Sequence, residues 1–351
     1  MIETRRLNEN HAGIKAPDDV VEICKKNGFK TFTIPLIPKD KHKNKLYIQT
    51  WLFIHCVKLW MTILFTVKSG DRVVWQHPAY GIRYAIFFIP LVQKMKKASF
   101  IALIHDLESL RGGIAAATES EKKRYILSDL NLLEKFDFVI SHNIKMSVFL
   151  ESIGIKSEKI VNLEVFDYLY DGPNHQNTIK DEQRVVIAGN LSKLKSSYIY
   201  EFMEEFQAIN LYGILFEGNQ SDSRYKGVFN PEELISNLQG TFGLVWDGNS
   251  LEKCSGNTGE YLKYNNPHKF SLYLAAGLPI IIWEKAALSN FVLENKIGLV
   301  VSDLHEVKQL LENLDSDEYQ LMLENVSRIS EKVRNGYYLT NALEKCKKYE
   351  N

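Results

Sequence analysis

The sequence lacks several patterns that would assign a protein to a class at once. Its four cysteines include no CxxC pair and no Cys/His spacing typical of zinc, so we expect neither a metal site nor disulfides. No GxGxxG follows an expected strand, which leaves a dinucleotide cofactor without support, and the absence of GxxxxGK[ST] excludes a P-loop. The 43 Lys and Arg residues equal the 43 Asp and Glu residues, whereas dedicated nucleic-acid binders carry a basic excess. These absences favour a reduced, cytoplasmic protein that does not bind nucleic acid.

The chain also lacks an apolar segment behind the charged residues near its start, so we expect no secretory signal. What is present is the composition of a globular protein, with 45% apolar and 25% charged residues. Intrinsic disorder and collagen-like structure are thereby excluded. At roughly 150 residues per domain, the 351 residues suggest two domains.

Residues 46–67 form the one long apolar run, and Gln49, His55 and Lys58 interrupt it. Because charges are costly at the centre of a membrane span, we expect a mostly buried or amphipathic surface helix rather than a span. A helix lying on a membrane surface is the remaining alternative. Lysine clusters within 39–45 and 94–97 flank the run, which is what a peripheral membrane enzyme would show.

Short apolar runs alternate with helical stretches twice along the chain. The first set of expected strands begins at residues 31, 72, 99 and 136, and the second at 184, 210, 241, 278 and 298. A polar segment, 167–183, separates the sets, so we predict two parallel-sheet α/β domains over residues 1–168 and 183–335. The last helical stretch is interrupted at Gly336, and we expect residues 336–351 to pack back on the first domain.

Ligands of open parallel sheets bind beyond the carboxyl ends of the strands, and residues 254–282 are the richest such segment. Asn266 or Pro267 begins a helix whose free N–H groups would attract an anion, and Lys269 adds a full charge there. Pyrophosphate binding is one interpretation, and an ordinary capped helix with an exposed lysine is the other. Two upstream side chains could reach hydroxyls or a base: Glu260 and Tyr261.

A second candidate is the turn Gly189–Lys193, directly after an expected strand. Its backbone N–H groups could approach a ligand, and Lys193 or Lys195 could meet a phosphate. The alternative is a turn that only reverses the chain.

In the first half, His105 and Asp106 close an apolar strand, where a general base would be well placed. The alternative is that Asp106 caps the following turn. His77 ends another strand and is a lesser candidate, followed by Glu108 and Glu9. One phosphate-like half-site and one acid–base half-site, in two domains, suggest group transfer across a cleft.

The only DxD motif, Asp315–Asp317, opens a polar segment at an expected helix start. We interpret it as helix capping rather than as a metal site, because Asp and Ser favour such positions.

Several segments resemble bacterial β-1,6-galactofuranosyltransferases of polysaccharide assembly and, more loosely, the glucosyltransferases that extend glycans on serine-rich adhesins. The resemblance covers most of the chain and is most specific in EYLKYNNPHK; the other segments are NHAGIKAPDDV, IHDLESLR, NGYYLT and the run from GTFGLVWDG to IGLVV.

The resemblance implies a GT-B fold, that is, two Rossmann-like domains facing across a cleft, with the nucleotide-sugar donor held mainly by the second and no metal required. It implies that Lys269 and its helix contact the donor diphosphate. The remaining donor-side residues would be Gly189, Asn190, Lys193, Glu260, Tyr261, Asn266 and His268. The acceptor side would hold His105 and Asp106 together with Asn10, His11, Gly13, Lys15 and His77.

The expected function is therefore transfer of a hexose, with galactofuranose favoured, from a UDP-sugar to a glycan or lipid-linked oligosaccharide acceptor. The resemblance implies an inverting, metal-independent enzyme in the cytoplasm; contact with the inner membrane face and homo-oligomerisation stay open. The alternatives are an adhesin glucosyltransferase and a noncatalytic UDP-sugar-binding subunit of the same fold. An epimerase is disfavoured because the motifs are those of transferases.

Overall fold

A computed structural model describes residues 2–4, 14–34, 45–79, 82–173 and 185–348. Within these ranges the chain forms two six-stranded sheets, and every strand pairing in them is parallel. The prediction of an α/β fold with two parallel sheets is confirmed.

The first sheet lies within residues 2–162 and has the strand order β2-β1-β3-β4-β5-β6. Its strands are β1 (Ile2–Thr4), β2 (Phe32–Ile34), β3 (Arg72–His77), β4 (Ser99–Ile104), β5 (Phe138–Ser141) and β6 (Ile160–Asn162). The helices of this half are α1 (Lys15–Lys26), α2 (Lys45–Thr66), α3 (Ala85–Lys96), α4 (Glu108–Ala115), α5 (Glu119–Leu133) and α6 (Ile144–Ser152), and a 3₁₀ turn at Ser157–Lys159 precedes β6.

The second sheet lies within residues 185–301 and has the order β12-β11-β10-β7-β8-β9. Its strands are β7 (Val185–Asn190), β8 (Ile209–Ile214), β9 (Tyr225–Gly227), β10 (Phe242–Val245), β11 (Ile280–Trp283) and β12 (Gly298–Val301). The helices are α7 (Lys193–Ser196), α8 (Tyr198–Glu205), α9 (Pro231–Asn237), α10 (Gly256–Tyr261), α11 (His268–Ala275), α12 (Ser289–Asn295), α13 (Glu306–Glu312), α14 (Ser316–Arg334) and α15 (Tyr337–Lys348).

The strands read as continuous apolar runs because both faces of each sheet are covered. In β4, Phe100 and Ala102 face one core while Ile101 and Leu103 face the other. The core of Phe100 and Ala102 includes side chains from α2 and α3, and the opposite core includes side chains from α1 and α15. Alternate residues of one strand therefore fill two separate cores.

Polar caps set several helix starts. Thr118 accepts a hydrogen bond from Glu121 N at the start of α5, and Asn230 accepts one from Glu233 N ahead of Pro231 in α9. These two side chains satisfy N–H groups that have no partner inside the helix. Asp315 is the N-cap residue of α14, which confirms the expected helix start at the DxD motif, but its side chain makes no capping hydrogen bond.

The chain returns to the first half after α14. Gly336, at φ +76°, separates α14 from α15, and Asn27 Nδ2 donates to Thr340 Oγ1 at 3.0 Å. The buried carboxylate of Asp167 accepts hydrogen bonds from the backbone N–H groups of Tyr338 and Leu339. We call the two segments that connect the halves, one around Asp167 and one around Gly336, the crossover. The hydrogen bonds to Asp167 anchor the start of α15 there.

Of the two expected forms of α2, a mostly buried helix and a surface helix, the structure shows the surface helix. By length and composition Tyr47–Thr66 is long and apolar enough to cross a membrane, yet only 28% of its most apolar stretch is buried. Its buried side chains share one face: Cys56, Trp60, Ile63 and Leu64. The last three belong to the core of Phe100 and Ala102.

Candidate active site

The strand order reverses between β7 and β10 in the second sheet and between β1 and β3 in the first. Ligands of doubly wound sheets bind beyond the strand ends at such reversals. Asn190 ends β7, and Trp246 and Asp247 follow β10; on the first sheet, His77 ends β3 and His105 follows β4. The predicted site segments therefore lie at or next to these reversals.

A lysine–aspartate pair lies at the end of β10. Lys269, the second residue of α11, places its Nζ 2.9 Å from Asp247 Oδ1 and donates to the carbonyl of Trp246 at 2.9 Å. Both charged side chains are largely buried, with exposed fractions of 15% for Lys269 and 10% for Asp247. Sequence reasoning identified the lysine and missed the aspartate, although Asp247 directly follows an expected strand.

Close backbone packing shapes the loop after Asp247. Gly248 has φ +115°, and a Cβ atom on it would overlap the backbone of Ser255. A Cβ atom on Gly259 would overlap the backbone of Cys254 and lie 2.9 Å from the carbonyl oxygen of Asp247. Only glycine fits at these two positions, and the loop thereby brings α10 against the end of β10.

The turn Gly189–Lys193 meets the same loop. Asn190 Oδ1 accepts a hydrogen bond from Ser192 N, and Thr258 Oγ1 donates to the carbonyl of Lys195 at 3.4 Å. Lys193 is exposed, and its Nζ lies 5.0 Å from the ring centroid of Tyr200. The structure thus brings the two predicted donor segments together, with the side chain of Lys193 on a neighbouring aromatic ring.

Tyr261, predicted on the donor side, reaches the other half of the molecule. Its hydroxyl donates to Asp106 Oδ1 at 3.4 Å and accepts from Leu107 N at 3.3 Å. Burial, followed by the negative charge of Asp106, raises the pKa of Tyr261 well above its ordinary value, so the hydroxyl stays protonated. Glu260, its neighbour, instead pairs with Lys263 at 2.6 Å.

His105 and Asp106 are adjacent in sequence but have different partners. His105 Nε2 lies 2.5 Å from Gln76 Oε1, and the ring stacks on Phe166 with centroids 5.7 Å apart. Because Gln76 Nε2 donates to the carbonyl of Pro17, Gln76 Oε1 is the acceptor for His105 Nε2–H. In the neutral tautomer that carries its hydrogen on Nε2, the ring lone pair of His105 is on Nδ1.

Asp106 accepts a hydrogen bond on each carboxylate oxygen, from Arg111 at 3.0 Å and from Tyr261. The N-cap residue of the following helix α4 is Leu107, and it makes no side-chain capping bond. The carboxylate of Asp106 therefore joins α4 to α10 and does not cap the turn.

A hydrogen-bond network joins the two halves, and it consists of the side chains of His142, Asn143 and Asn266 and the backbone carbonyl of Glu164. His142 Nδ1 accepts from Asn266 N at 3.0 Å and His142 Nε2 donates to the carbonyl of Ile104 at 3.1 Å. Asn266 Nδ2 donates to the carbonyls of His142 and Glu164, and Asn143 Nδ2 donates to Asn266 Oδ1 at 2.8 Å. Burial lowers the pKa of His142 to about 4, so this imidazole is neutral.

Asn266 therefore differs from its expected role beside the diphosphate. Both of its amide hydrogens and its amide oxygen are engaged in the contact between the halves. Sequence reasoning missed His142 and Asn143, although a polar pair after the strand ending at Ser141 was the available signal.

His268 and Lys15 lie at the crossover between the halves. The His268 ring sits 5.8 Å from Phe166 and 5.7 Å from Tyr168, measured between centroids, and in the described part of the chain neither ring nitrogen has a hydrogen-bond partner. Burial, together with the charge of Lys15, lowers the pKa of His268 to about 3. Lys15 Nζ pairs with Asp19 at 2.5 Å and lies 5.0 Å from the Tyr168 ring.

The side chain of His77 is enclosed rather than open to the acceptor side as expected. It is 4% exposed, and its Nε2 lies 3.8 Å from Asp129 Oδ1, whose partner oxygen accepts from Ser109 N. Its backbone carbonyl accepts the N–H of His105 at 2.7 Å, so His77 supports the candidate base through the main chain. Three further acceptor-side predictions lie outside the described residues: Asn10, His11 and Gly13.

Among the described residues, no group of three or more His, Cys, Asp or Glu side chains lies close enough to hold a metal ion. The described residues do place a lysine–aspartate pair at the end of β10 and a histidine at the end of β4. Lysine is a residue type that binds phosphate, and histidine is one that transfers protons near neutral pH.

Comparison with known proteins covers both halves of the chain. Two family models match: the N-terminal domain of glucosyltransferase 3-like proteins over residues 2–165 and the corresponding C-terminal domain over residues 185–346. The chain is 37% identical to the β-1,6-galactofuranosyltransferase WbbI of Escherichia coli K12 over 96% of this chain and 95% of that protein. It is 28% identical to glucosyltransferase 3 of Streptococcus gordonii over 80% of each.

Solved structures share the fold at low sequence identity. The Anabaena protein HepE in complex with UDP-glucose matches with a TM-score of 0.57 at 10% identity, over 99% of this chain and 98% of that one. The lipopolysaccharide outer core galactosyltransferase WaaB matches with a TM-score of 0.58 at 11% identity, over 97% and 98%. These similarities establish the GT-B architecture.

Proposed function

The chain belongs to the glucosyltransferase 3-like family of glycosyltransferases, and from that premise we propose that it transfers galactofuranose from its UDP-sugar to a glycan acceptor. Support for the sugar comes from the galactofuranosyltransferase relative, which is 37% identical over almost the whole chain. Support for a uridine nucleotide comes from HepE, a protein of the same fold solved with UDP-glucose.

The observation that carries the proposal is the position of Lys269. It lies at the strand-order reversal where doubly wound sheets bind nucleotides, on a helix that begins one residue earlier. We assign it to the donor diphosphate, where its charge and the helix N–H groups would stabilise the negative charge that develops on the departing UDP. A protein cation in this place would let the reaction proceed without a metal ion.

We assign the general base to His105. Its Nδ1 would take the proton of the acceptor hydroxyl as the oxygen of that hydroxyl bonds to the anomeric carbon of the sugar. The bond from that carbon to the phosphate oxygen breaks, and its electron pair leaves with UDP. Attack from the face opposite UDP inverts the anomeric centre. Asp106 then acts as a positioning residue, since both its oxygens hold neighbouring side chains.

Two alternatives to galactofuranose transfer have support of their own. The 28% identity to glucosyltransferase 3 favours glucose as the second candidate sugar. A noncatalytic UDP-sugar-binding subunit would keep the fold and the lysine–aspartate pair without using His105.

The test is acceptor-dependent release of UDP. The purified protein is incubated with UDP-galactofuranose, UDP-galactose or UDP-glucose, with and without a glycan acceptor and with a chelator in parallel. We expect the fastest release from UDP-galactofuranose with acceptor present, no change with the chelator, and a β-configured product by NMR. Faster turnover of UDP-glucose would favour the glucosyltransferase, and UDP binding without turnover of any donor would favour the noncatalytic subunit.

A further inference from the structure

The helix α2 is apolar on two opposite faces. One face is buried at Cys56, Trp60, Ile63 and Leu64, and the last three pack in the core of Phe100 and Ala102. The opposite side carries a row of exposed apolar side chains at helical spacing: Tyr47, Trp51, Ile54, Met61 and Phe65. A surface helix of a globular protein normally presents polar residues on its outer side, so this second row calls for a partner.

The neighbouring helix α3 continues the same surface. Its exposed apolar side chains include Phe87, Leu91 and Met95, while Ala85, Ile89 and Val92 are buried. The two helices lie side by side, because Trp60 stacks on Phe88 with centroids 5.2 Å apart and Phe53 meets Tyr84 at 5.6 Å. We call the eight exposed side chains the outer α2–α3 face: Tyr47, Trp51, Ile54, Met61, Phe65, Phe87, Leu91 and Met95.

The two helices lie in a basic part of the sequence. Residues 39–98 contain eleven Lys or Arg residues against two Asp and no Glu, in a chain whose total charges balance. Lys58 lies within the exposed row of α2 and Lys94 beside that of α3, both exposed, and neither helix contains an acidic residue. An apolar surface with an exclusively basic set of helix charges complements an anionic, apolar partner.

We propose that the outer α2–α3 face docks on an anionic lipid membrane, with both helices lying in the plane of the interface. The aromatic and aliphatic side chains would enter the boundary between headgroups and acyl chains, and Lys58 and Lys94 would reach the headgroups. A span is not consistent with this geometry, since the inner face of α2 is part of the folded core. Both helices begin at the edge where the strands end, so docking would bring the acceptor side of the cleft near the lipid.

The five tryptophans give a direct test. Trp51 is 41% exposed and belongs to the outer α2–α3 face, whereas the other four are almost fully buried: Trp60, Trp75, Trp246 and Trp283. Vesicles of phosphatidylglycerol mixed with brominated phosphatidylcholine should therefore quench the fluorescence of Trp51, and the variant Trp51→Phe should lose that quenching. Vesicles of brominated phosphatidylcholine alone should quench it far less.

Co-sedimentation with the same vesicles tests the two kinds of side chain separately. The double variant Phe65→Ser/Phe87→Ser should lose binding to anionic vesicles at any salt concentration. The double variant Lys58→Glu/Lys94→Glu should weaken binding at least about fivefold for each lysine removed. Matched controls in the second half, Leu293→Ser and Lys308→Glu, should bind as the unchanged protein does.

Equal binding to neutral and anionic vesicles, or no binding to either, would overturn the proposal. So would a dimer, seen by light scattering, that Phe65→Ser/Phe87→Ser converts to monomer without any vesicle binding, because the face would then join two copies of the chain. Unchanged release of UDP from the UDP-sugar, measured with a water-soluble acceptor, shows that all variants are folded. It also separates a failure of docking from a failure of the proposed transferase activity.

Discussion

The ends of β10 and β4 lie in different sheets and carry different chemistry: β10 borders the strand-order reversal of its sheet, and β4 is one strand away from the reversal of the other. At the end of β10, a largely buried lysine pairs with a largely buried aspartate. At the end of β4, a histidine is hydrogen-bonded to a glutamine and stacked on a phenylalanine. We assign the first arrangement to the donor diphosphate and the second to proton transfer. One architecture, repeated within a chain, can thus divide a transfer reaction between a charge-stabilising half and a proton-accepting half.

The largest expected effect is at the end of β4. His105→Ala should lower turnover by about 10²- to 10⁴-fold, the usual contribution of a general base, while UDP affinity stays unchanged. Acceptor-dependent UDP release and UDP calorimetry measure the two quantities. His305→Ala, an exposed histidine paired with Glu205 in the second half, is the matched control and should keep full turnover. If His105→Ala retains normal turnover, the base lies elsewhere, with Glu108 next to be examined.

The variant Asp106→Asn tests whether Asp106, also at the end of β4, positions its neighbours or is itself the base. The variant keeps the shape of the side chain but removes the charge that meets Arg111 and the acceptor oxygen that meets Tyr261. As a positioning residue it should lower turnover less than His105→Ala does, with a normal dependence of rate on pH. A larger loss than that of His105→Ala, together with a changed pH profile, would make Asp106 the base instead.

At the end of β10, Lys269→Met should weaken UDP binding about 10- to 150-fold, since a charge-assisted hydrogen bond contributes about 1.5–3 kcal/mol. The same change leaves Asp247 buried without its cation, so the variant should also unfold more easily. Lys269→Met/Asp247→Asn should recover the stability in urea denaturation but not the UDP affinity. Recovery of both would mean that the pair is structural and that the diphosphate binds elsewhere.

Between the two ends, Asn266 tests how firmly the halves are joined. Asn266→Ala leaves buried groups of His142, Asn143 and Glu164 without partners, so it should lower the free energy of unfolding by about 1–3 kcal/mol. Asn265→Ala is the matched control, because the buried amide oxygen of Asn265 has no hydrogen-bond partner in the described part of the chain. Equal destabilisation by the two variants would contradict the role of Asn266 in joining the halves.

The smallest effect concerns pH at the crossover. Burial raises the pKa of Asp167 to about 7 and that of Asp19 to about 6, both above the ordinary value near 4. Protonation therefore favours the folded state, so the stability these groups contribute is complete below about pH 4 and is lost as pH rises to about 7. Asp167→Asn should lose stability less between pH 5 and pH 8 than the unchanged protein does. Parallel melting curves of the two proteins would count against this origin.

The sequence predicted the parallel-sheet architecture because each buried strand is a continuous apolar run bounded by turns. The expected strands left out β1, β6 and β9, which have three residues each. The equally short β2 was expected because it lies in a longer apolar run that begins at residue 31. Lys269 was found from its place at a helix start, but its partner Asp247 is separated from it by 22 residues. The contact of Asn266 with His142, 124 residues away, depends on how the halves dock, which no local pattern encodes.

The outer surface of α2 is another feature that the local sequence pattern does not determine. Hydropathy and length describe Tyr47–Thr66 without stating which face meets the core, so the sequence leaves a mostly buried helix and a surface helix both open. The tertiary structure shows the apolar residues on two opposite faces, and only that arrangement separates an inner core face from an outer docking face.

The division of labour between the ends of β10 and β4 is tested most directly by titrating UDP into three proteins in a calorimeter. These are the unchanged chain, His105→Ala and Lys269→Met/Asp247→Asn. We predict that His105→Ala binds UDP as tightly as the unchanged chain, and that the double variant binds it about 10- to 150-fold more weakly. Loss of UDP affinity in His105→Ala, or normal affinity in the double variant, would contradict the assignment of donor and base to separate halves.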